Sequence, residues 1–419
     1  MKVNYFLKRS ASIFFTALLV ISLGACSNQK NEYESTVSQQ SSEASKSVSS
    51  DDMSLPSTPL SSESGKTETD VPSEWQDNGI FSQYYDDAYK KVKNMSIDEK
   101  IGQMLFARCP QENAVETAQK YHLGGYVLFG KDFKNKTKDE VISDITSYKQ
   151  SQQIPMSISA DEEGGTVVRI SSNPNLYDHE FLSPRDIFAN GGMDAIKSDA
   201  KEKANLLSSL YIDTNLAPVC DISVNESDFM YDRSLGQDAQ TTGEYAVNIT
   251  EISQKNGVSV TLKHFPGYGN NVDTHTGIAV DERDYSEFEN NDFIPFEEGI
   301  KAGAHMVMVN HNIVKCMDAE KPASISANVH DILRNKLGFT GIIVTDDLSM
   351  DAITEYSGKY SPAVTAVLAG NDMLTISDIE TPFNDIKQAV NDGIIDESII
   401  DHAAMRVLAW KYAKGMINR

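Results

Sequence analysis

The sequence predicts an α/β protein, a (β/α)8 barrel of the TIM type preceded by a disordered tether. Two observations carry that expectation. Eight short apolar runs alternate with amphipathic stretches along residues 75–419, and polar residues stand just past the ends of those runs. The runs lack polar alternation, which fits parallel strands covered on both faces. A barrel gathers every strand end at one mouth, whereas an open doubly wound sheet would leave half of them away from its cleft.

Taken in order, residues 1–26 read as an export signal. Lys2, Lys8 and Arg9 give a positive start, Ala11 to Leu23 form an apolar run, and Leu23-Gly24-Ala25-Cys26 closes it. The run is short for a transmembrane helix. The closing tetrapeptide resembles a bacterial lipobox, which implies acylation of Cys26 as the mature N-terminus. The expected location is the outer face of the cell membrane, with the lipid anchor as the chain's contact with it. Residues 27–74 are dominated by Ser, Thr, Glu, Lys, Gln and Asp. Such a segment buries too little apolar surface to offset its ordering entropy and is expected to act as a tether. The aromatic cluster from Trp75 to Tyr85 marks the start of the folded domain, residues 75–419.

Within that domain the expected strands are Met104–Ala107, Gly125–Phe129, Pro155–Ser159, Ile212–Val219, Val258–Leu262, His305–Val309, Gly341–Thr345 and Asp372–Ile376. Helical patterns lie between or after them at Lys138–Ser151, Ala195–Ser209, Gly243–Lys255, Tyr285–Ala302 and Glu397–Tyr412. The chain of 419 residues is 40% hydrophobic, enough for a full core, and carries a formal charge of −24. That balance argues against binding nucleic acid or anionic lipid through a basic face and suits neutral or weakly charged substrates. Its four cysteines, at 26, 109, 220 and 316, form no C-x-x-C pair. Cys109 and Cys220 fall in or just after apolar runs, where a buried free thiol is expected.

Three segments carry chemistry. In Lys263-His264-Phe265-Pro266-Gly267-Tyr268-Gly269 a strand delivers Lys263 and His264 to the mouth, and the following loop carries Asp273 and His275. Two residues apart on extended chain, the carboxylate is able to hold the imidazole and fix its tautomer for proton exchange near pH 7. A polar surface loop is the plain alternative, and a metal site of His264, Asp273 and His275 is another. The second segment, Gly341 to Met350, ends an apolar strand in Asp346-Asp347. Successive side chains of a strand point to opposite sides, so one acid faces the mouth, and Asp347 is also placed to cap a helix. In the third, Asp161-Glu162-Glu163-Gly164-Gly165 leads to Arg169, a set that suits hydroxyl recognition or ion pairing within the loop.

Together these segments resemble glycoside hydrolase family 3, and more narrowly its single-domain β-N-acetylhexosaminidase branch. The likeness begins at Met95-Ser96-Ile97-Asp98-Glu99-Lys100-Ile101-Gly102-Gln103-Met104. It continues through Asp161–Arg169, Asp232-Arg233-Ser234, Lys263–Gly269 and Thr345–Met350. The resemblance implies a retaining enzyme that removes terminal β-linked N-acetylglucosamine from small oligosaccharides or muropeptides, with no metal and no organic cofactor. By position Asp346 matches the nucleophile, His275 the acid/base and Asp273 its partner. Asp161, Arg169, Arg233, Lys263 and His264 match residues that hold the terminal sugar. Many relatives carry a second domain that supplies a glutamate acid/base; here the chain ends soon after the last barrel helix, so the proton donor is expected from the barrel. Tyr268, Glu162 and Leu235 stand where His, Gln and Phe are usual, and the stretch from Gly269 to Asp273 is one residue shorter. Two other readings stay open at this point, a β-glucosidase-type member and an inactive sugar-binding lipoprotein.

Overall fold

The computed structural model describes residues 69–271, 278–349, 353 and 355–419. Eight parallel strands form the central sheet: β1 (Leu105–Arg108), β2 (Gly125–Leu128), β3 (Ser157–Ala160), β4 (Thr214–Asn215), β5 (Ser259–Phe265), β7 (Met306–Val309), β9 (Ile342–Thr345) and β10 (Leu374–Ile376). Their order is β10-β1-β2-β3-β4-β5-β7-β9. A parallel bridge from Val344 to Met373 brings the two ends of that order together, so the sheet closes into the expected barrel. A separate parallel pair, β6 (Val280–Asp281) and β8 (Ile313–Val314), lies outside it.

The eight expected strands are all present, with shifted bounds. The first includes Arg108 and so carries a guanidinium to the mouth. The fourth is much shorter than expected because Pro218 has no N–H to donate to a ladder; the chain rejoins β5 by a bridge from Val219 to Lys263. Period-two alternation divides the strand residues between two environments. Phe106, Val127, Met306, Met308, Ile342 and Val344 belong to a buried cluster shared with Trp410. Leu105, Ala107, Tyr126, Leu128 and Ile158 pack in another, with helix residues such as Val141, Ile145 and Ile386.

The helices start where local chemistry satisfies their free N–H groups. Ser96 and Glu99 form a capping box at Ile97–Gln103, and Thr137 with Glu140 does so at Lys138–Gln150. Ser361 accepts from Val364 N ahead of Pro362–Ala369. The helix expected from Ala195 is the second limb of Pro184–Ser209, which kinks at Gly191 and Gly192. Its first limb carries Arg185, whose guanidinium bonds the Ser223 and Tyr231 carbonyls and steadies the loop that leads to Arg233. At the other end of the domain, Val71 is already buried ahead of Trp75. Cys109 and Cys220 are buried free thiols, as expected.

Candidate active site

The C-terminal ends of the barrel strands surround a cavity of about 250 Å³. Six of the sequence-predicted site residues line it together: Asp161, Arg169, Arg233, Lys263, His264 and Asp346. Asp273 and His275 lie outside the described residues, as does Cys26. A larger cavity of about 480 Å³ opens elsewhere, among Met95, Gln103, His122 and Gln152. The amides of Gln103, Gln119 and Gln152 there donate to backbone carbonyls, and its one acid, Glu99, is engaged in the Ser96 capping box.

Lys263 is the hub of the mouth. Its ammonium, brought up by β5, lies 2.8 Å from Asp161 Oδ1 and 2.5 Å from Glu163 Oε1. Burial opposes that charge, but the two carboxylates hold the lysine above its ordinary pKa. Arg233 meets Glu163 with both arms of its fork, Nε to Oε2 at 2.9 Å and Nη2 to Oε1 at 2.7 Å. Burial alone would raise the Glu163 carboxyl, yet Arg233 and Lys263 carry it well below the usual carboxylate range. Arg169 Nη2 stands 3.7 Å from Asp161 Oδ2. The result is a set of charged groups held in place before any ligand arrives.

Glu163 was not among the sequence-predicted site residues. Asp161 and Glu163 are two apart and both meet Lys263, while Glu162 between them turns the other way. Its buried carboxylate accepts the backbone N–H groups of Arg169, Ile170 and Ser171 and the Ser171 hydroxyl. That acid folds the loop and thereby places Arg169.

His264 is oriented from below. Asp221 Oδ2 lies 2.7 Å from its Nδ1, and Asp221 Oδ1 accepts from Tyr268 N. Arg233 Nη2 is 3.4 Å from His264 Nε2, an unfavourable neighbour for a bound cation. Tyr268, at the position where His is usual, is buried against Phe229, with its ring edge-on to His264. Leu235 is buried in the outer core and does not line the cavity.

The adjacent acids just past β9 both reach the cavity, where the sequence pattern allowed one. They differ in commitment. Asp347 is tied to Arg108 Nε at 2.7 Å, to the Ser377 hydroxyl at 2.9 Å and to Ser349 N at 2.9 Å. Asp346, partly exposed, accepts the Asp347 backbone N–H at 2.8 Å. Burial would raise its carboxyl, but His311, His264, the Asp347 N–H and Lys263 bring it below the usual value, so it is ionised at neutral pH. His311 is itself fixed between the Ser324 hydroxyl and the Asp347 carbonyl. Arg108, also missed in the sequence, lies over the Phe129 ring at 4.4 Å, and Arg169 approaches the same ring at 5.4 Å.

A parallel barrel whose strand ends hold an ionised acid amid fixed cations and carboxylates is the architecture of a polar-substrate hydrolase. Residues 96–410 match the model of the glycosyl hydrolase family 3 N-terminal domain. The chain belongs to glycosyl hydrolase family 3 and is a glycosidase. It is 31% identical over 260 residues to a β-hexosaminidase of Methylobacillus flagellatus, covering 61% of this chain and 73% of that one. It is 28% identical over 329 residues to the β-hexosaminidase LpqI of Mycobacterium tuberculosis, covering 76% and 83%. Among solved structures, a family 3 β-N-acetylglucosaminidase from a Paenibacillus species superposes with a TM-score of 0.72 at 28% identity. That match covers 77% of this chain and spans 63% of the other.

Proposed function

We propose that this glycosidase removes terminal β-linked N-acetylglucosamine with retention of configuration, from peptidoglycan-derived fragments or other short oligosaccharides. The observation that carries the reading is the contrast just past β9: Asp347 is committed to Arg108, Ser377 and Ser349, while Asp346 is kept ionised and faces the cavity. An ionised carboxylate at that point is suited to attack an anomeric carbon. Asp161, Lys263, Arg233, Arg169 and His264 offer donors and acceptors for the hydroxyls of one terminal sugar.

In this reading an Asp346 oxygen bonds to the anomeric carbon as the glycosidic bond breaks. His275, held by Asp273, gives its proton to the departing oxygen. The same imidazole then takes a proton from water, whose oxygen displaces Asp346 and restores the enzyme. The donor is the imidazolium, and the neutral imidazole left after the transfer places no second negative charge beside the nucleophile. The names of the relatives support N-acetylglucosamine as the glycone. Acylation of Cys26 and attachment to the outer face of the cell membrane are part of the same proposal.

Initial rates on nitrophenyl β-N-acetylglucosaminide beside nitrophenyl β-glucoside, for the protein and its Asp346→Asn variant, test it. A strong preference for the acetamido sugar that disappears in the variant is expected. Preference for the glucoside would overturn the glycone, and unchanged turnover in the variant would overturn the nucleophile.

A further inference from the structure

Beyond the cavity, a buried ionic cluster joins the two limbs on either side of residues 272–277. On the entry side the chain leaves β5 through Gly267 and Gly269, with φ of 123° and 56°, values that favour glycine. Each glycine sits directly against a charged side chain. A Cβ on Gly267 would overlap the Asp292 carboxylate, and one on Gly269 would overlap the Arg283 guanidinium. Asn271 donates from Nδ2 to Asp281 Oδ2 at 2.7 Å.

On the exit side Asp281 belongs to β6, which pairs with β8. Ile313 N donates to the Ala279 carbonyl, so this limb is tied to the segment that also carries His311. Arg283 holds the limbs together. Its Nη2 lies 2.8 Å from Asp281 Oδ2 and its Nη1 2.8 Å from Asp292 Oδ2, with the guanidinium over the Phe288 ring at 4.2 Å. Asp281 and Asp292 are each 2% exposed. A guanidinium shared by two buried carboxylates is a rigid joint, because displacing it leaves uncompensated charge in the interior.

We propose that Arg283 is a positioning residue for the reaction: by bridging Asp281 to Asp292, with Asn271 tied to the same carboxylate, it sets the spacing of the limbs between which the proton donor is carried. The inference rests on the reading of His275 as that donor. Among the described residues Arg283 pairs with Asp281, Asp292 and Phe288, none of which lines the cavity, so its effect would reach the chemistry through the placement of another residue. Misplacement of a catalytic group by about 1 Å costs on the order of a hundredfold, and that loss falls on the step needing the group.

The test compares two N-acetylglucosaminides, an activated nitrophenyl glycoside and an unactivated alkyl glycoside whose leaving oxygen requires a proton. Arg283→Gln, Arg283→Lys, Asn271→Ala and His275→Ala are measured beside the unaltered chain. Arg283→Gln is expected to lose about tenfold to a hundredfold in kcat on the alkyl glycoside and far less on the nitrophenyl one. Asn271→Ala, which keeps both ion pairs, is expected to show a smaller loss with the same selectivity, and it carries the test if Arg283→Gln fails to fold. Arg283→Lys should recover part of the loss. Equal losses on both substrates, or none, in Arg283→Gln and Asn271→Ala would overturn the proposal while leaving His275 in its role. Equal losses in His275→Ala itself would overturn the reading beneath it.

Discussion

Lys263 at the mouth of the barrel and Lys411 beneath its opposite end are both buried, yet their surroundings treat the charge in opposite ways. Lys263 has Asp161 and Glu163 within 2.8 Å and is held above the ordinary lysine value. Lys411, on the helix Glu397–Ala413, donates to the amide oxygen of Gln103 at 2.6 Å. Burial there outweighs the distant pull of Asp213 and lowers its pKa to about 7. The mouth has accumulated charge in opposed pairs, which fixes polar groups where a sugar would meet them. Around Lys411 there is one neutral acceptor, with Trp410, Met405 and Leu408 packed nearby; the ion pairs of that end are made elsewhere, by Asp213 with Lys149 and by Asp372 with Arg334 and Arg406. The difference separates a lysine set among charges for recognition from one enclosed by packing, in agreement with the general division of labour between the two ends of these barrels.

Breaking the mouth should have the largest effect. Lys263→Met leaves the buried Glu163 and the half-buried Asp161 with too little positive charge, and removing one partner of such a set costs about 3–5 kcal/mol. Denaturant unfolding should register that loss, and kcat/KM should fall by about a hundredfold or more as the sugar-binding groups separate.

The corresponding change at the lower end should act in the other direction. A lysine with a depressed folded pKa contributes fully above its free value of 10.5, and that contribution is lost as pH falls towards about 7. Lys411→Met removes the group. The variant should therefore gain stability relative to the native chain as pH is lowered through that window, reaching about 5 kcal/mol, and gain no more below it. Unfolding curves at a series of pH values check this, with kcat at pH 7 expected to stay near the native value.

The smallest effect is expected at Glu162, a buried acid satisfied by N–H and O–H donors without a cation. Glu162→Gln keeps the shape but turns an amide NH2 towards some of those donors, costing about 1–2 kcal/mol. The accompanying loss in kcat/KM should be smaller than for Lys263→Met, because only the placement of Arg169 is disturbed.

The barrel was legible because its strands are apolar runs with helical patterns between them, and these patterns survive without knowledge of contacts. Boundaries were less so: Pro218 cut the fourth strand, and Arg108 extended the first by the residue that proved to hold Asp347. Six site residues fell at one mouth because strand ends fix direction. Glu163 was missed although its signal was present, since period two places it with Asp161 and sets Glu162 apart. The unequal commitment of Asp346 and Asp347 was not legible, because it depends on Arg108 and Ser377, which lie far away in sequence. The Arg283 joint was hidden for the same reason.

The most direct test of the account is to trap the covalent intermediate with a fluorinated N-acetylglucosaminyl substrate whose release is slow, and to locate the modified residue by peptide mass spectrometry. The account predicts one sugar on Asp346, absent in Asp346→Asn. A sugar on Asp347, or turnover with no covalent species at all, would contradict it.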